Sequence, residues 1–188
     1  MSDNLLNDLE KFKSAYYTDN KKNVLFKANQ KRELAEKVCA EFDLNKLFSR
    51  TAYVIPNTNK VFIDYAVLKL FANSDNYLGF VLHSNTLFLQ CIQAYGCYEC
   101  HINLDSLTIT AVERHKKLIE LFAMDPSERD GIEYTNYLSK ACLYNTPGLI
   151  DNISKIVIHL IDPSVVSRLI KYTKAETPAK LSELGFVL

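Results

Sequence analysis

The stretch that most constrains the fold is a short run of β-forming residues that is followed directly by turn-forming residues. Ala141 to Tyr144 is apolar, and Asn145-Thr146-Pro147-Gly148 follows it directly. Beyond Gly148 the apolar residues recur every three or four positions, the period of one helical face. These residues are Leu149, Ile153, Ile156, Val157, Leu160 and Ile161. The sequence therefore predicts a strand, a tight turn and a helix, Leu149 to Ile161, that packs across its neighbours.

A proline then interrupts this helix. Pro163 has no backbone N–H and disfavours helical backbone in Asp162, so the pattern must break there. Apolar residues resume at Val165 and Val166, and Leu169 to Tyr172 reads as an edge strand that follows a basic residue, Arg168.

This order of features resembles the CRAL-TRIO lipid-binding domain. In that family the strand ends in an Asn-Ala-Pro-like turn, the next helix is a movable gate over a lipid cavity, and a Leu-Asp-Pro break leads to a Lys-Ile pair. The matching residues here are Asn145-Thr146-Pro147, Ile161-Asp162-Pro163 and Arg168-Leu169. The element order agrees from Ala52 to Lys174, and Leu104-Asp105-Ser106 stands where the family's second strand ends in Asp and a small residue.

The rest of the chain predicts an α/β fold with a mainly parallel β-sheet and flanking helices. Helical patterns near the start of the chain and over Gln30 to Phe48 form an N-terminal helical segment, residues 1–50. Residues 51–188 form the CRAL-TRIO-like domain. Its remaining elements are a hairpin across Asn57-Thr58-Asn59, a helix from Tyr77 to Tyr95 with Gly96 as its cap, a strand from Cys97 to Leu104, a helix capped by Thr110, a loop from Met124 to Ile132, and a short helix from Ala179 to Leu184.

Composition restricts the partners. The 188 residues carry 22 basic and 22 acidic side chains, so no overall field attracts nucleic acid, and we expect no nucleic-acid partner. No apolar run approaches the roughly 20 residues that span a bilayer, and the first residues lack the features of a signal peptide. We expect a cytoplasmic protein that can act peripherally at membranes, and its five cysteines to be free thiols.

One motif matches the sequence pattern of a cofactor-binding site. Cys97-Tyr98-Glu99-Cys100-His101 matches the CxxCH pattern of c-type haem attachment, and one CxxC supplies two of the four ligands of a structural zinc. A strand would place the two cysteines on opposite faces. We expect no metal and no cofactor here. Because no nucleophile elbow, phosphate loop or paired-carboxylate motif is present, we also expect no enzyme, and we interpret the helical histidines His83, His115 and His159 as structural.

The resemblance implies a ligand site for a lipid or other small hydrophobic molecule, exchanged at a transient membrane surface. The residues that it places in contact with the ligand are Arg168, Ile102, Leu104, Leu143, Ile153, Ile156, Val157 and Leu160. Arg168 falls where phosphoinositide-binding members carry a basic headgroup residue, and a guanidinium suits a phosphate. The same residues also have plainer interpretations: a buried packing helix, and a solvated charge at Arg168.

Two departures from the family leave an alternative open. Phosphoinositide-binding members carry a Glu-Arg pair before the third strand, where this chain has Asn136 and Tyr137, and the C-terminal part ends without the family's Gly-Gly close. The alternative is a protein–protein interaction module of the same fold without a functional cavity. A continuous apolar cavity would favour the lipid hypothesis, and a filled core would favour the interaction module.

Overall fold

The computed structural model describes residues 2–20, 27–123, 131–148 and 150–185. It begins with three helices, α1 (Ser2–Asp19), α2 (Lys27–Glu41) and α3 (Leu44–Thr51). The prediction of a single helix over Gln30 to Phe48 is wrong, because one helix ends at Glu41 and a new helix begins at Leu44. The carboxylate of Asp43 accepts the backbone N–H of Lys46 at 2.8 Å, which caps α3 and favours the break.

The predicted hairpin is confirmed. Strand β1 (Ala52–Val54) pairs antiparallel with β2 (Lys60–Asp64), with Ala52 opposite Ile63. Helix α4 (Tyr65–Leu68) follows, and then the long helix α5 (Tyr77–Tyr95). As the sequence predicts, α5 ends at Gly96, which has a left-handed φ of 77° that costs glycine little.

The predicted strand after Gly96 is also confirmed, as β3 (Tyr98–Asn103). It leads into α6 (Ile109–Arg114) and α7 (Lys116–Ala123). The predicted cap at Thr110 is wrong, because the hydroxyl of Thr108 accepts the N–H of Ala111 at 3.2 Å and the helix begins two residues earlier. Of the predicted loop Met124 to Ile132, residues 124–130 lie outside the described residues.

The C-terminal half contains the remaining elements. They are α8 (Tyr134–Tyr137), β4 (Leu138–Thr146), α9 (Ile150–Val157), a 3₁₀ turn (Ile158–Leu160), α10 (Pro163–Ser167), β5 (Leu169–Thr173) and α11 (Thr177–Glu183). The predicted helix Leu149 to Ile161 is thus an α-helix that tightens into a 3₁₀ turn; Leu149 itself lies outside the described residues. The predicted edge strand at Leu169 is confirmed.

The five strands form one sheet in chain order, β1-β2-β3-β4-β5. Strands β2 to β5 run parallel, and β1 adds an antiparallel edge. The register places Lys60, Glu99 and Lys140 side by side, followed two residues on by Phe62, His101 and Cys142. The fold is therefore α/β, with a mostly parallel sheet and flanking helices, as the sequence predicts.

The two faces of the sheet are covered differently. On one, here called the inner face, Val61, Ile63, Cys100, Ile102 and Ala141 share a core with α1 to α7, so the N-terminal helices and the sheet are packed together. On the outer face a smaller apolar cluster contacts α11. Its members are Phe62, Cys142, Tyr144, Ile170, Tyr172, Leu181 and Leu184, with Tyr53 and Ile55 from the hairpin. No helix within the described ranges combines the length and apolar character needed to cross a membrane.

Candidate functional site

Helix α9 rests on the crossover helices that precede it. Its buried residues, Ile153 and Val157, pack with Val112 of α6, and the half-buried Ile109 and Ile119 complete the contact. The two residues form one apolar stripe because they lie four positions apart on the helix. The protein's own side chains therefore occupy the central part of the α9 apolar face.

The rest of the segment from Ile150 to Ile161 is more exposed than its composition suggests. Apart from Ile153 and Val157, its apolar residues are all half-buried or exposed. These are Ile150, Ile156, Ile158, Leu160 and Ile161. Ile158, at the start of the 3₁₀ turn, is 45% exposed. The segment thus leaves several aliphatic side chains partly exposed to solvent, although Ile150, Ile156 and Ile161 also pack against the Ile153 cluster.

Three other residues predicted to contact the ligand meet near the carboxyl end of the sheet. Ile102 and Leu143 pair in register on the inner face, and both are only half-buried. Leu104 follows β3 immediately, and its backbone N–H donates to the carbonyl oxygen of Tyr144 at 2.9 Å. The structure brings these three apolar residues together on neighbouring strands.

Arg168 lies elsewhere. It precedes β5, and its carbonyl accepts the N–H of Ala141 at 3.1 Å, at the amino end of the parallel strands. By strand register it is about five residues from Leu104 along the sheet, roughly 16 Å at ~3.3 Å per residue. Its guanidinium donates to the carbonyl oxygen of Thr135 at 2.5 Å. The structure therefore does not bring Arg168 to the apolar residues, and its guanidinium contacts backbone.

The Asn-x-Pro turn is fixed by a row of polar side chains across three strand ends. Asn145 has a left-handed φ of 52°, and its side-chain amide donates to Oδ1 of Asn103 at 2.8 Å. The amide of Asn103 in turn donates to Oδ1 of Asp64 at 3.1 Å. Burial raises the pKa of Asp64, partly offset by its hydrogen bonds and the Arg50 charge. The turn before α9 is thus connected to β2 and β3.

A second polar cluster occupies the outer face of the sheet. Nε2 of His101 lies 3.0 Å from Oε2 of Glu99, and Nδ1 lies 2.8 Å from the hydroxyl of Tyr144. Because a carboxylate only accepts hydrogen bonds, Nε2 donates to Glu99 and Nδ1 accepts from Tyr144. His101 and Tyr144 are each 2% exposed, and their rings stack at 5.8 Å between centroids.

Burial controls the protonation of this cluster. It lowers the pKa of His101, although the hydrogen bond to Glu99 opposes that shift, and the charges of Lys60 and Lys140 lower the pKa further. Burial also raises the pKa of Tyr144 and that of the Cys142 thiol. At neutral pH the cluster therefore holds a neutral imidazole, a protonated phenol and a protonated thiol.

Sequence reasoning missed both polar clusters. His101 and Tyr144 are 43 residues apart in the chain and meet only through strand pairing. The available signal was a polar residue near the carboxyl end of three consecutive strands: Asp64 and Asn103 end β2 and β3, and Asn145 is the penultimate residue of β4.

The cysteine motif is divided between environments. Cys97 precedes β3 and accepts a hydrogen bond from the side-chain amide of Asn59 at 3.3 Å, whereas Cys100 packs into the inner core. In the part of the chain that the structure describes, no three His, Cys, Asp or Glu side chains are grouped as metal ligands. His83 contacts the carbonyl of Ala52 at 3.0 Å, and His115 is buried against Tyr77.

The protein is thus an α/β protein with a five-stranded, mostly parallel sheet that carries two polar clusters. In comparisons with known proteins, no family model matches the chain and no curated protein matches it.

Proposed function

We propose that this protein is a divergent CRAL-TRIO-like domain that binds a lipid or other small hydrophobic ligand beneath the segment from Ile150 to Ile161 and exchanges it at membrane surfaces. The observation that carries the proposal is the exposure of this segment: of its seven apolar residues, only Ile153 and Val157 are buried. Transfer of apolar surface out of water contributes about 25 cal/mol per Å². A hydrophobic ligand or a bilayer would therefore stabilise this segment.

The neighbouring sheet supports the same location. Ile102 and Leu143 lie on the inner face near the carboxyl ends of β3 and β4, Leu104 follows β3, and all three are half-buried. An acyl chain gains about 0.8 kcal/mol for each CH₂ that leaves water. Covering these residues together with α9 would provide a continuous apolar contact.

Prolines delimit the segment at both ends. Pro147-Gly148 precedes α9, and the carboxylate of Asp162 accepts the N–H of Ser164 at 2.7 Å to start α10. An exposed ion pair, Lys171 to Asp151 at 3.2 Å, links α9 to β5. Exposed ion pairs contribute little to stability, so this link would oppose opening only weakly.

A vesicle-uptake experiment tests the proposal. The parent protein is incubated with phospholipid vesicles containing a fluorescent acyl-chain lipid, separated from them, and assayed for bound probe. Ile158→Ser removes an exposed apolar side chain from the segment, and Leu82→Ser removes one of similar exposure, 48%, from α5. We expect uptake by the parent and the Leu82 variant and reduced uptake by the Ile158 variant.

Equal reduction in both variants would show that general surface hydrophobicity is responsible, and absence of uptake in all three proteins would contradict the proposal. Native mass spectrometry of protein purified from lipid-containing cells provides an independent check. A bound mass that detergent removes is the expected result.

The packing of Ile153 and Val157 against α6 and α7 favours a second candidate, a protein–protein interaction module without a ligand cavity. In that case native mass spectrometry would find the bare chain under every lipid condition, and both serine variants would leave vesicle uptake at background. The same measurements therefore separate the two functions.

A further inference from the structure

A polar cleft lies between the outer face of the sheet and α11, on the opposite side of the sheet from the helices that carry α9. Its volume is about 160 Å³, and its walls include Lys60, Glu99, Lys140, Lys180, Tyr172 and Leu184. Sites for drug-sized ligands occupy about 300–1,000 Å³, so this cleft suits a small group.

The charges of the cleft are arranged by strand register. Lys60 pairs with Glu99, and Glu99 pairs with Lys140, so one carboxylate is flanked by two ammonium-bearing side chains on neighbouring strands. The carboxylate of Glu99 is already engaged by Nε2 of His101 at 3.0 Å. Neither Lys60 nor Lys140 forms a salt bridge with any residue that the structure describes, and both are half-buried.

The third lysine of the cleft is paired. Lys180 of α11 lies 2.7 Å from Oε1 of Glu183, and its ammonium lies 5.9 Å above the ring of Tyr172. With His101 neutral, the cleft therefore has three ammonium groups against two carboxylates. The unbalanced charge lies on the sheet, at Lys60 and Lys140.

We propose that this cleft binds a phosphate group, held between the ammonium groups of Lys60 and Lys140. Lys60 and Lys140 form no salt bridge within the described residues, and they flank a carboxylate that already accepts a hydrogen bond from His101. Each ammonium group can therefore contact an oxygen of a phosphate group, which lysine recognises as a point charge. The cleft accepts the phosphate group and little more, so the rest of the ligand extends past α11 into solvent. The phosphate belongs either to a small phosphorylated molecule or to a lipid headgroup.

His101 provides a reporter in the wall of the cleft. A bound dianion favours the protonated imidazole, so phosphate should move the titration of His101 to higher pH. The other charged groups that face the ring are Glu99 on its own strand and Lys60 and Lys140 on the adjacent strands. Lys180 and Glu183 approach the cleft from α11. A ligand bound elsewhere would leave the His101 ring signal unchanged.

The test is an NMR titration of the full chain with three probes: inorganic phosphate, glycerol 3-phosphate, and vesicles containing phosphatidic acid. The test variant is the double substitution Lys60→Met and Lys140→Met. The matched control is Lys46→Met and Lys117→Met, which removes two exposed lysines outside both the cleft and α9. A second variant, Lys60→Arg and Lys140→Arg, keeps the charge, and urea unfolding checks that all variants are folded.

We expect saturable shifts of the His101 ring signals with at least one probe, a loss of affinity on the order of tenfold or more in the Met double variant, and near-parent affinity in the control and Arg variants. Strongest binding of either soluble probe identifies a small phosphorylated ligand, and binding of the vesicles alone identifies a headgroup. Equal weakening in the test and control variants, or no saturable shift with any probe, overturns the proposal. Because the readout is phosphate at the outer face, it is independent of acyl-chain uptake at α9.

Discussion

The best-defined electrostatic prediction concerns His115, which ends α6 and lies in the inner core. It is 5% exposed, its Nδ1 lies 2.8 Å from the hydroxyl of Tyr77, and Nη2 of Arg114 lies 3.0 Å from its Nε2. Because a guanidinium only donates, Nε2 accepts and Nδ1 carries the proton. A second proton would have to face the guanidinium inside the core.

The structure sets the size and sign of the effect. Burial, with smaller contributions from the Arg114 and Lys31 charges, lowers the pKa of His115 from 6.5 to about 4. The unfolded chain therefore binds a proton at higher pH than the folded chain does. The contribution of His115 to the free energy of unfolding is therefore fully present above pH 6.5, and it is lost as the pH falls toward 4. The shift corresponds to about 3 kcal/mol in all, of which about 2 kcal/mol is lost between pH 7 and pH 5.

Urea unfolding followed by far-UV circular dichroism measures this loss, since the chain has no tryptophan for fluorescence. His115→Gln should lower stability at pH 7 but reduce the difference between pH 7 and pH 5 by about 2 kcal/mol. His159→Gln, at an exposed histidine, is the control and should keep the parent's difference. The pKa of His101 is also lowered, so the free energy of unfolding keeps some dependence on pH in every variant. An unchanged difference in the His115 variant would refute the reasoning.

Three further substitutions test individual structural assignments by urea unfolding. Asp43→Ala removes the cap of α3 and should cost about 1 kcal/mol; no loss would mean that the cap does not stabilise the helix start. Gly96→Ala meets no atom within 4 Å, so a cost of roughly 1 kcal/mol would come from the left-handed φ alone, and a neutral result would contradict that conformation. Phe71→Ala removes a fully buried ring beside Phe48 and should cost about 3–5 kcal/mol. A loss below 1 kcal/mol would place Phe71 outside the core.

The sheet could be predicted because its strands carry local signals. In β3, alternation alone predicts that Cys100 and Ile102 face one side and Glu99 and His101 the other, and the structure confirms both faces. The turn at Asn57 to Asn59 and the glycine after α5 are similarly local. Each of these features depends on residues adjacent in the chain.

Helix boundaries were less predictable, because a short polar side chain can accept a hydrogen bond from a backbone N–H and so start a helix at any of several neighbouring positions. The apolar pattern continues from Phe42 toward Leu47, yet the Asp43 carboxylate caps a new helix at Leu44. Thr108 and Thr110 are both suitable caps, and only the turn before α6 decides that Thr108 is used. Period alone does not contain this information.

The candidate sites were predictable only in part. Apolar periodicity identified the residues of α9, but not that Ile153 and Val157 pack against α6, since that contact depends on tertiary structure. Arg168 follows the Asp-Pro break as the resemblance requires, yet strand register puts it at the amino end of the sheet. The pairing of His101 with Tyr144 required the register of β3 and β4 as well.

The order of strands in the sheet has a consequence for how the protein assembles. Each strand pairs with the strand that precedes it in the chain, so the sheet can grow by one strand and its crossover at a time during translation. The β1–β2 pairing is a local hairpin, whereas each parallel pairing must wait for a crossover that contains at least one helix, which makes those steps slower. Because α11 follows all five strands in the chain, it can cover the aromatic side chains of Tyr144 and Tyr172 only after the strands that carry them have been synthesised.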